Sequence, residues 1–286
     1  MLTRDHKYAL VALDIDGTVL NSAQQVTPEL RDVLARLAQR GVRTVLSTGR
    51  RWRNTVSVLR ELGHVHPVAV CCGGALIKEA DGEQTLYAVP MKHSTARLTA
   101  RLFHANGLVP MLLYDRPLSG LELKLTESDR RAAELLPYLR MNPGSFEWHE
   151  GDYPEGDEPP LVVYTVDEGE KVRRAERAVA EGLGELGIVS AMVQWRYGRD
   201  QVALEVHDPG ATKWLALEWL LRQWGVRPEE VVAIGDDVND LPMLEAAGLS
   251  VAMGNAVPEV KEVADTVTAS NDEHGAALAL KKAFGL

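Results

Sequence analysis

The sequence predicts an α/β fold in which a parallel-sheet core is built from two separated stretches and an α+β domain is inserted between them. Three observations predict it. Short apolar strands alternate with amphipathic helices over residues 1–84, and the same rhythm returns over residues 209–286; alternation of this kind makes βαβ units and a parallel sheet. Between them, over residues 85–208, several strand-like runs adjoin one another with no helix between, the mark of an antiparallel sheet with helices on one face. Finally, polar clusters follow directly after apolar runs of the outer stretches, where open α/β sheets place their ligands.

The elements follow in order. Residues 8–13 read as a buried strand. Thr27 is an N-cap and Pro28 a first helical residue; Leu30, Val33, Leu34 and Leu37 recur at helical spacing, and Gly41 closes the helix. A strand over 42–46, a helix over 54–62 and a strand over 68–72 complete the first stretch. In the insert, strands are expected over 86–89, 109–114, 121–125, 161–166, 189–195 and 202–206. Helices are expected over 94–104, 129–139 and 170–186, and a long polar loop over 141–160. The last stretch gives a helix over 212–224, a strand over 231–234, a helix over 239–247, a strand over 249–252, a helix near 258–263, a strand over 266–268 and a final helix over 276–283. Gly82 and the pair Pro209-Gly210 are the expected linkers.

Composition narrows the function. The chain has 286 residues, with 45% hydrophobic, 25% charged and a formal net charge of −10, ordinary for a soluble globular protein and unfavourable for nucleic acid or an anionic membrane surface. No apolar run approaches the ~18–20 residues of a membrane span. The N-terminal residues are polar, without a signal-peptide core. Cys71 and Cys72 are the only cysteines, so no disulfide framework is expected and a cytoplasmic location is. Both read as small buried strand residues.

The chemistry is concentrated in four clusters. Leu10-Val11-Ala12-Leu13 stops at Asp14-Ile15-Asp16-Gly17-Thr18; on extended backbone the two aspartates point to one side. Ser47-Thr48-Gly49-Arg50 ends the second strand. Lys213 stands at a helix start, and Gly235-Asp236-Asp237-Val238-Asn239-Asp240 follows an apolar strand. Oxygen ligands from Asp14, Asp16 and Asp236 suit Mg²⁺. An ionised aspartate can attack a phosphoryl group, Lys213 can neutralise its oxygens, and Thr48 can hydrogen-bond them. A second carboxylate two residues on can protonate the leaving oxygen and then activate water.

These four motifs resemble those of the haloacid dehalogenase-like hydrolases, and the insert after the second motif resembles the α/β cap of the Cof-type phosphatases. The resemblance covers essentially the whole chain, including Gly254-Asn255-Ala256 and 268–272. It implies a Rossmann-like core with an α+β cap domain and a Mg²⁺-dependent phosphatase working through an aspartyl-phosphate. The substrate it implies is a small phosphorylated metabolite, such as a sugar phosphate or a phosphorylated cofactor. By this resemblance Asp14 is the nucleophile and a metal ligand. Asp16 is the general acid/base and gives its backbone carbonyl to the metal, and Asp236 is the third ligand. Thr48, Gly49, Lys213 and Asn239 serve the phosphate; Asp240 and Thr18 support the cluster, with Asn239 and Asp240 also backing the metal and the lysine. Aspartate at the nucleophile position points to phosphatase rather than dehalogenase chemistry.

Two positions depart from the family pattern. Gly73-Gly74-Ala75 stands where relatives carry Asn-Gly-Ala, and Trp214, read as a core residue, follows Lys213 where relatives carry glycine. His64 and His66 read as solvated loop residues, too few for a zinc site. Trp195-Arg196-Tyr197-Gly198-Arg199 reads either as a clamp for a leaving group or as a hairpin end. Two other functions stay open at this point: a phosphotransferase or phosphomutase with the same intermediate, and a non-enzymatic phosphate-binding module. A dinucleotide oxidoreductase is set aside, because no Gly-x-Gly-x-x-Gly follows the first strand.

Overall fold

Strand β1, Leu10–Leu13, is apolar and wholly buried, as a strand covered on both faces must be. The computed structural model describes residues 7–63, 68–81, 83–142, 144–151, 158–193 and 200–286. After β1 the first stretch runs α1 (Pro28–Gln39), β2 (Arg43–Ser47), α2 (Trp52–Leu62), β3 (Val68–Cys71), β4 (Leu76–Glu79) and β5 (Thr85–Ala88). The middle stretch runs α3 (His93–Ala105), β6 (Met111–Leu113), β7 (Leu123–Thr126), α4 (Arg130–Ala133), α5 (Pro137–Met141), β8 (Phe146–His149), β9 (Val162–Glu168), α6 (Gly169–Leu183), β10 (Ile188–Val193) and β11 (Gln201–His207). The last stretch runs α7 (Lys213–Trp224), β12 (Val231–Gly235), α8 (Leu241–Ala246), β13 (Leu249–Ala252), α9 (Pro258–Val263), β14 (Thr266–Val267) and α10 (Gly275–Phe284).

The chain divides into two units: Met1–Tyr87 with Ala211–Leu286, and Ala88–Gly210. The first unit holds a sheet in the order β14-β13-β12-β1-β2-β3-β4-β5. Its strands from β14 to β3 run parallel, and β4 turns back against β3. The chain leaves β1 toward β2 and β3 and later returns to its other side through β12. Strand order therefore reverses at β1, the point where such sheets open a crevice beyond the strand ends. Residues 85–87 stay with this unit because β5 joins its sheet. Helix α1 shows how the sequence builds the cover. Thr27 caps it, its Oγ1 accepting from the Leu30 N–H at 3.3 Å, and Leu30, Val33, Leu34 and Leu37 form its buried stripe. Burial of each such leucine contributes roughly 1.5–3 kcal/mol.

The second unit holds a sheet in the order β10-β11-β9-β6-β7-β8, antiparallel except that β8 runs parallel to β7. Helices α3 and α6 pack together on it, and Phe103, Val172, Val179, Leu183, Leu204 and Val206 form the centre of that core. Two expectations for this unit need correction. The helix expected over 129–139 is broken into α4 and α5, because Pro137 forces Leu136 into extended backbone (ψ 123°). The expected polar loop over 141–160 contains β8, a short strand whose Arg130-covered Trp148 (4.4 Å from guanidinium to ring) ties it down. In the first unit β4 went unread, since its apolar run is only Leu76-Ile77. Trp214 is half-buried rather than a core residue. His64 and His66, Gly82, and residues 195–199 lie outside the described residues. No helix among the described residues is long and apolar enough to cross a membrane.

The turn after β3 fixes the start of α7. Gly73 has φ +64° and Gly74 φ +112°. A Cβ on Gly74 would stand 2.1 Å from the Thr212 carbonyl oxygen, so only glycine lets the turn lie against the backbone that caps α7. Gly74→Ala is therefore expected to destabilise the fold by at least about 2 kcal/mol. Gly73→Asn, in a left-handed conformation that asparagine also adopts, is expected to cost less than about 1 kcal/mol. Urea denaturation of the two variants checks both.

Candidate active site

The parallel register places the four sequence clusters along one sheet edge. Leu13 stands beside Ile234 on one side and Leu46 on the other. The next residue, Asp14, is therefore level with Gly235 and Ser47, and its N–H donates to the Ile234 carbonyl at 3.0 Å. Thr48 continues β2, its N–H donating to the Val70 carbonyl at 2.9 Å.

Lys213 organises this edge. It is the first residue of α7, and Thr212 caps the helix by accepting from the Leu215 N–H at 3.1 Å. A cation at a helix N-terminus is disfavoured by the helix dipole, and burial disfavours it further; Lys213 is only 1% exposed. Its ammonium is held by three acceptors: Asp14 Oδ1 at 2.7 Å, Asn239 Oδ1 at 2.9 Å and Asp240 Oδ1 at 2.6 Å. These use all three of its protons. Burial alone would lower the Lys213 pKa, yet Asp14 and Asp240 outweigh it and raise the pKa above the usual lysine value. Asp240 is wholly buried, and its second oxygen accepts the N–H groups of Asp236 (2.9 Å) and Asp237 (3.1 Å). It braces the lysine and the strand end together.

Asp236 faces the same spot. Its Oδ1 accepts from Thr18 Oγ1 at 2.9 Å, and Asn255 Nδ2 reaches the Gly17 carbonyl at 2.9 Å and Asp236 Oδ2 at 3.5 Å. Gly17 has φ +80°, and a Cβ there would stand 2.2 Å from Asp236 Oδ2, so the Asp-x-Asp-Gly loop needs this glycine to close on the second carboxylate. One oxygen each from Asp14, Asp236 and Asp240 lies within 4.8 Å of the others. Three carboxylates thus share a pocket with one ammonium, an excess of two negative charges. Burial, before any neighbour, pushes Asp14 well above the ordinary carboxylate range, and Asp240, Asp236 and Asp16 push the same way against Lys213. Asp236 is raised to about 7, first by burial and then by Asp240. A divalent cation held by oxygen donors fits this charge and donor set. Asp14 and Asp236 are the carboxylates that could hold it: Asp14 Oδ2 accepts no hydrogen bond among the described residues and Asp236 Oδ2 has just a long contact from Asn255 at 3.5 Å, whereas the Asp240 oxygens are engaged at 2.6, 2.9 and 3.1 Å.

Asp16 points elsewhere. Its side chain is half exposed, and its carboxylate is gripped by the Arg50 guanidinium, Nε to Oδ2 at 2.7 Å and Nη2 to Oδ1 at 2.5 Å. The same Nη2 donates to Gln24 Oε1 at 2.8 Å. Thr48 Oγ1 accepts from the Arg50 N–H at 3.1 Å, so Thr48 shapes the turn through Gly49 that carries this arginine. The structure therefore joins Asp14, Thr18, Lys213, Asp236, Asn239 and Asp240 in one hydrogen-bonded cluster. Asp16 and Thr48 belong to an adjoining network built on Arg50. Sequence reasoning quoted Arg50 and Asn255 inside motifs but gave them no task, and it passed over Gln24. The signal for Arg50 was its place two residues after a candidate phosphate-binding threonine.

A sequence profile of the haloacid dehalogenase-like hydrolases matches residues 11–280. The chain belongs to that family. Phosphatase YwpJ of Bacillus subtilis (strain 168) is 30% identical over 292 aligned positions, covering 95% of this chain and 98% of that protein. The 5-amino-6-(5-phospho-D-ribitylamino)uracil phosphatase YcsE of the same organism is 28% identical over 95% of this chain and 94% of its own. The crystal structure of a haloacid dehalogenase-like hydrolase from Bacteroides thetaiotaomicron superposes with a TM-score of 0.76 at 28% identity, covering 97% of this chain and 100% of that one. The family is one of phosphatases, and this chain is an enzyme of the phosphomonoester hydrolase class. Membership sets the binding-module alternative aside.

The raised Asp236 yields a prediction. An acid whose pKa is higher folded than unfolded opposes folding once ionised. Its penalty is absent below about pH 4, grows up to about pH 7 and stays constant above. A cation bound between Asp14 and Asp236 removes that penalty. The rise in melting temperature on adding Mg²⁺ is expected to be larger at pH 8 than at pH 5, and Asp236→Asn is expected to shrink the difference, leaving the part that Asp14 contributes. Calorimetry at the two pH values, with and without Mg²⁺, measures it.

Proposed function

We propose that the chain is a Mg²⁺-dependent phosphatase that hydrolyses a small phosphorylated metabolite through an aspartyl-phosphate on Asp14. The observation that carries this reading is the buried Asp14–Lys213–Asp240 ion cluster, with Asp236 beside it. A carboxylate so buried needs a purpose for its cost, and this one is held at one oxygen only. Asp14 Oδ1 is fixed by Lys213, while Oδ2 takes no hydrogen bond among the described residues and is the oxygen left to attack.

Each residue then has a task. Mg²⁺ between Asp14 and Asp236 would supply positive charge that keeps Asp14 ionised and offsets the phosphate oxygens. Lys213 orients Asp14 and adds its charge to the same oxygens. Asp14 forms a bond to phosphorus as the bond to the leaving oxygen breaks, and Asp16 gives that oxygen a proton. Asp16 then takes a proton from water, whose oxygen displaces Asp14 from phosphorus and releases phosphate. Thr48, Gly49 and Asn239 are read as phosphate contacts, and Thr18 as the support of Asp236.

These groups see only what every phosphomonoester shares, so selectivity must come from elsewhere. We assign it to the insert, residues 85–208, acting as a cap over the part of the substrate beyond the phosphate. The relative named for a phosphoribitylamino-uracil substrate supports a small phosphorylated metabolite, such as a sugar phosphate or a phosphorylated cofactor. With a net charge of −10 and its work on a small metabolite, nucleic acid is not expected as a partner and a cytoplasmic setting is.

Two measurements test the reading. Phosphate release from an aryl phosphate is expected to require Mg²⁺ and to stop in excess chelator; undiminished turnover there would overturn the metal assignment. Asp14→Asn is expected to lower turnover at least about a thousandfold while the protein stays folded. Intact-mass analysis of the wild-type chain, quenched during turnover, should show one added phosphoryl group that the variant lacks.

A further inference from the structure

Arg50 and Gln24 have no part in the reading above, yet they are joined to Asp16 by a continuous set of short contacts. Arg50 is anchored at both ends of its backbone. Its N–H donates to Thr48 Oγ1 at 3.1 Å, and its carbonyl accepts from the Cys72 N–H at 2.9 Å. Its guanidinium meets Asp16 along one edge, two parallel N–H donors on two oxygens, an arrangement that fixes the plane of a carboxylate as well as its position. Gln24 holds the guanidinium from behind through Oε1. Gln24 itself has φ +59°, a conformation that costs a residue with a Cβ roughly 1 kcal/mol or more. That conformation is held by its surroundings. Asn21 Oδ1 accepts from the N–H groups of Ala23 and Gln25 at 3.0 Å each, the Gln24 N–H donates to the Asn21 carbonyl at 2.8 Å, and Asn271 Nδ2 holds the Leu20 carbonyl at 2.9 Å. A half-exposed aspartate would otherwise sample several rotamers.

We propose that Arg50, backed by Gln24, is a positioning residue that orients the Asp16 carboxylate for proton transfer to the leaving oxygen. This rests on the assignment of Asp16 as general acid/base. In the step concerned, the bond from Asp14 Oδ to phosphorus forms and the bond from phosphorus to the leaving oxygen breaks. The leaving oxygen keeps that electron pair and takes the Asp16 proton. The two-point grip in the structure is the grip on the ionised carboxylate, the form that remains once the proton has passed and that next draws a proton from water. Proton transfer contributes about 10²–10⁴-fold, and misplacing the donor by about an ångström forfeits much of it.

The leaving group distinguishes positioning of an acid from support of the fold. A nitrophenolate leaves readily without a proton; an alkoxide does not. The value of kcat/KM reports only steps through the first irreversible one, so the later attack of water does not enter. The experiment measures kcat/KM for p-nitrophenyl, phenyl and ethyl phosphate in wild type, Arg50→Ala, Arg50→Lys and Gln24→Ala, with melting curves for each. For Arg50→Ala the loss on ethyl phosphate is expected to exceed the loss on p-nitrophenyl phosphate by at least tenfold, with Arg50→Lys recovering part of the difference. Gln24→Ala keeps a Cβ at the same φ and so isolates the amide; its loss should follow the same order, at about threefold to tenfold on ethyl phosphate. Equal losses on all three substrates would overturn the proposal, as would a loss confined to KM. Absence of phosphate release from every substrate by the wild-type protein would instead defeat the phosphatase reading itself.

Discussion

One buried ammonium determines the rest of the site. Lys213 sits at the wrong end of its helix for a cation and out of reach of water, and either condition alone would favour a neutral amine. Asp14 and Asp240 reverse that balance and hold the lysine charged, while burial pushes the Asp14 carboxyl up against the pull of Lys213. Removing one partner of such a group leaves an uncompensated charge, which is why buried ion clusters are lost as a whole rather than by halves. The cluster still carries more negative than positive charge. That surplus, carried on oxygen donors, fits a divalent cation.

The core was legible because its geometry is written in short-range signals. Apolar runs such as Leu10–Leu13 and Val231–Gly235 have few readings other than buried parallel strands, and carboxylates placed directly after them must reach the same edge. The cap Thr27 was equally plain, followed by a helix whose N–H it accepts. The chemistry of Asp14, Asp236 and Lys213 followed once those strands were aligned. What the sequence could not carry was direction. Asp16 and Asp14 lie on the same side of an extended strand, but β1 ends at Leu13 and a turn begins, so the two carboxylates diverge: one toward Lys213, the other toward Arg50. Nor does the spacing of Asp240 reveal that its second oxygen is used up by the N–H groups of Asp236 and Asp237.

In the second unit local signals compete, and the misreadings follow from that. Residues 129–139 have helical spacing, yet Pro137 overrides it through the backbone of Leu136. Phe146–His149 is too short and too polar to declare itself, and becomes a strand only by pairing with Leu123–Thr126. Such elements are set by tertiary contacts rather than by propensity.

The separation of the site's halves along the chain also bears on the order of synthesis. Asp14 and Lys213 are 199 residues apart, and Thr18 meets Asp236 across 218. During translation Asp14 emerges long before the cation that pairs with it, and the whole of Ala88–Gly210 is made in between. Domains fold as units while the chain is still growing, so the inserted unit has all of its sequence before the surrounding one can close. An incomplete chain therefore carries Asp14 without the ammonium and carboxylates that surround it in the folded protein. The cluster cannot close until the last third of the polypeptide has left the ribosome.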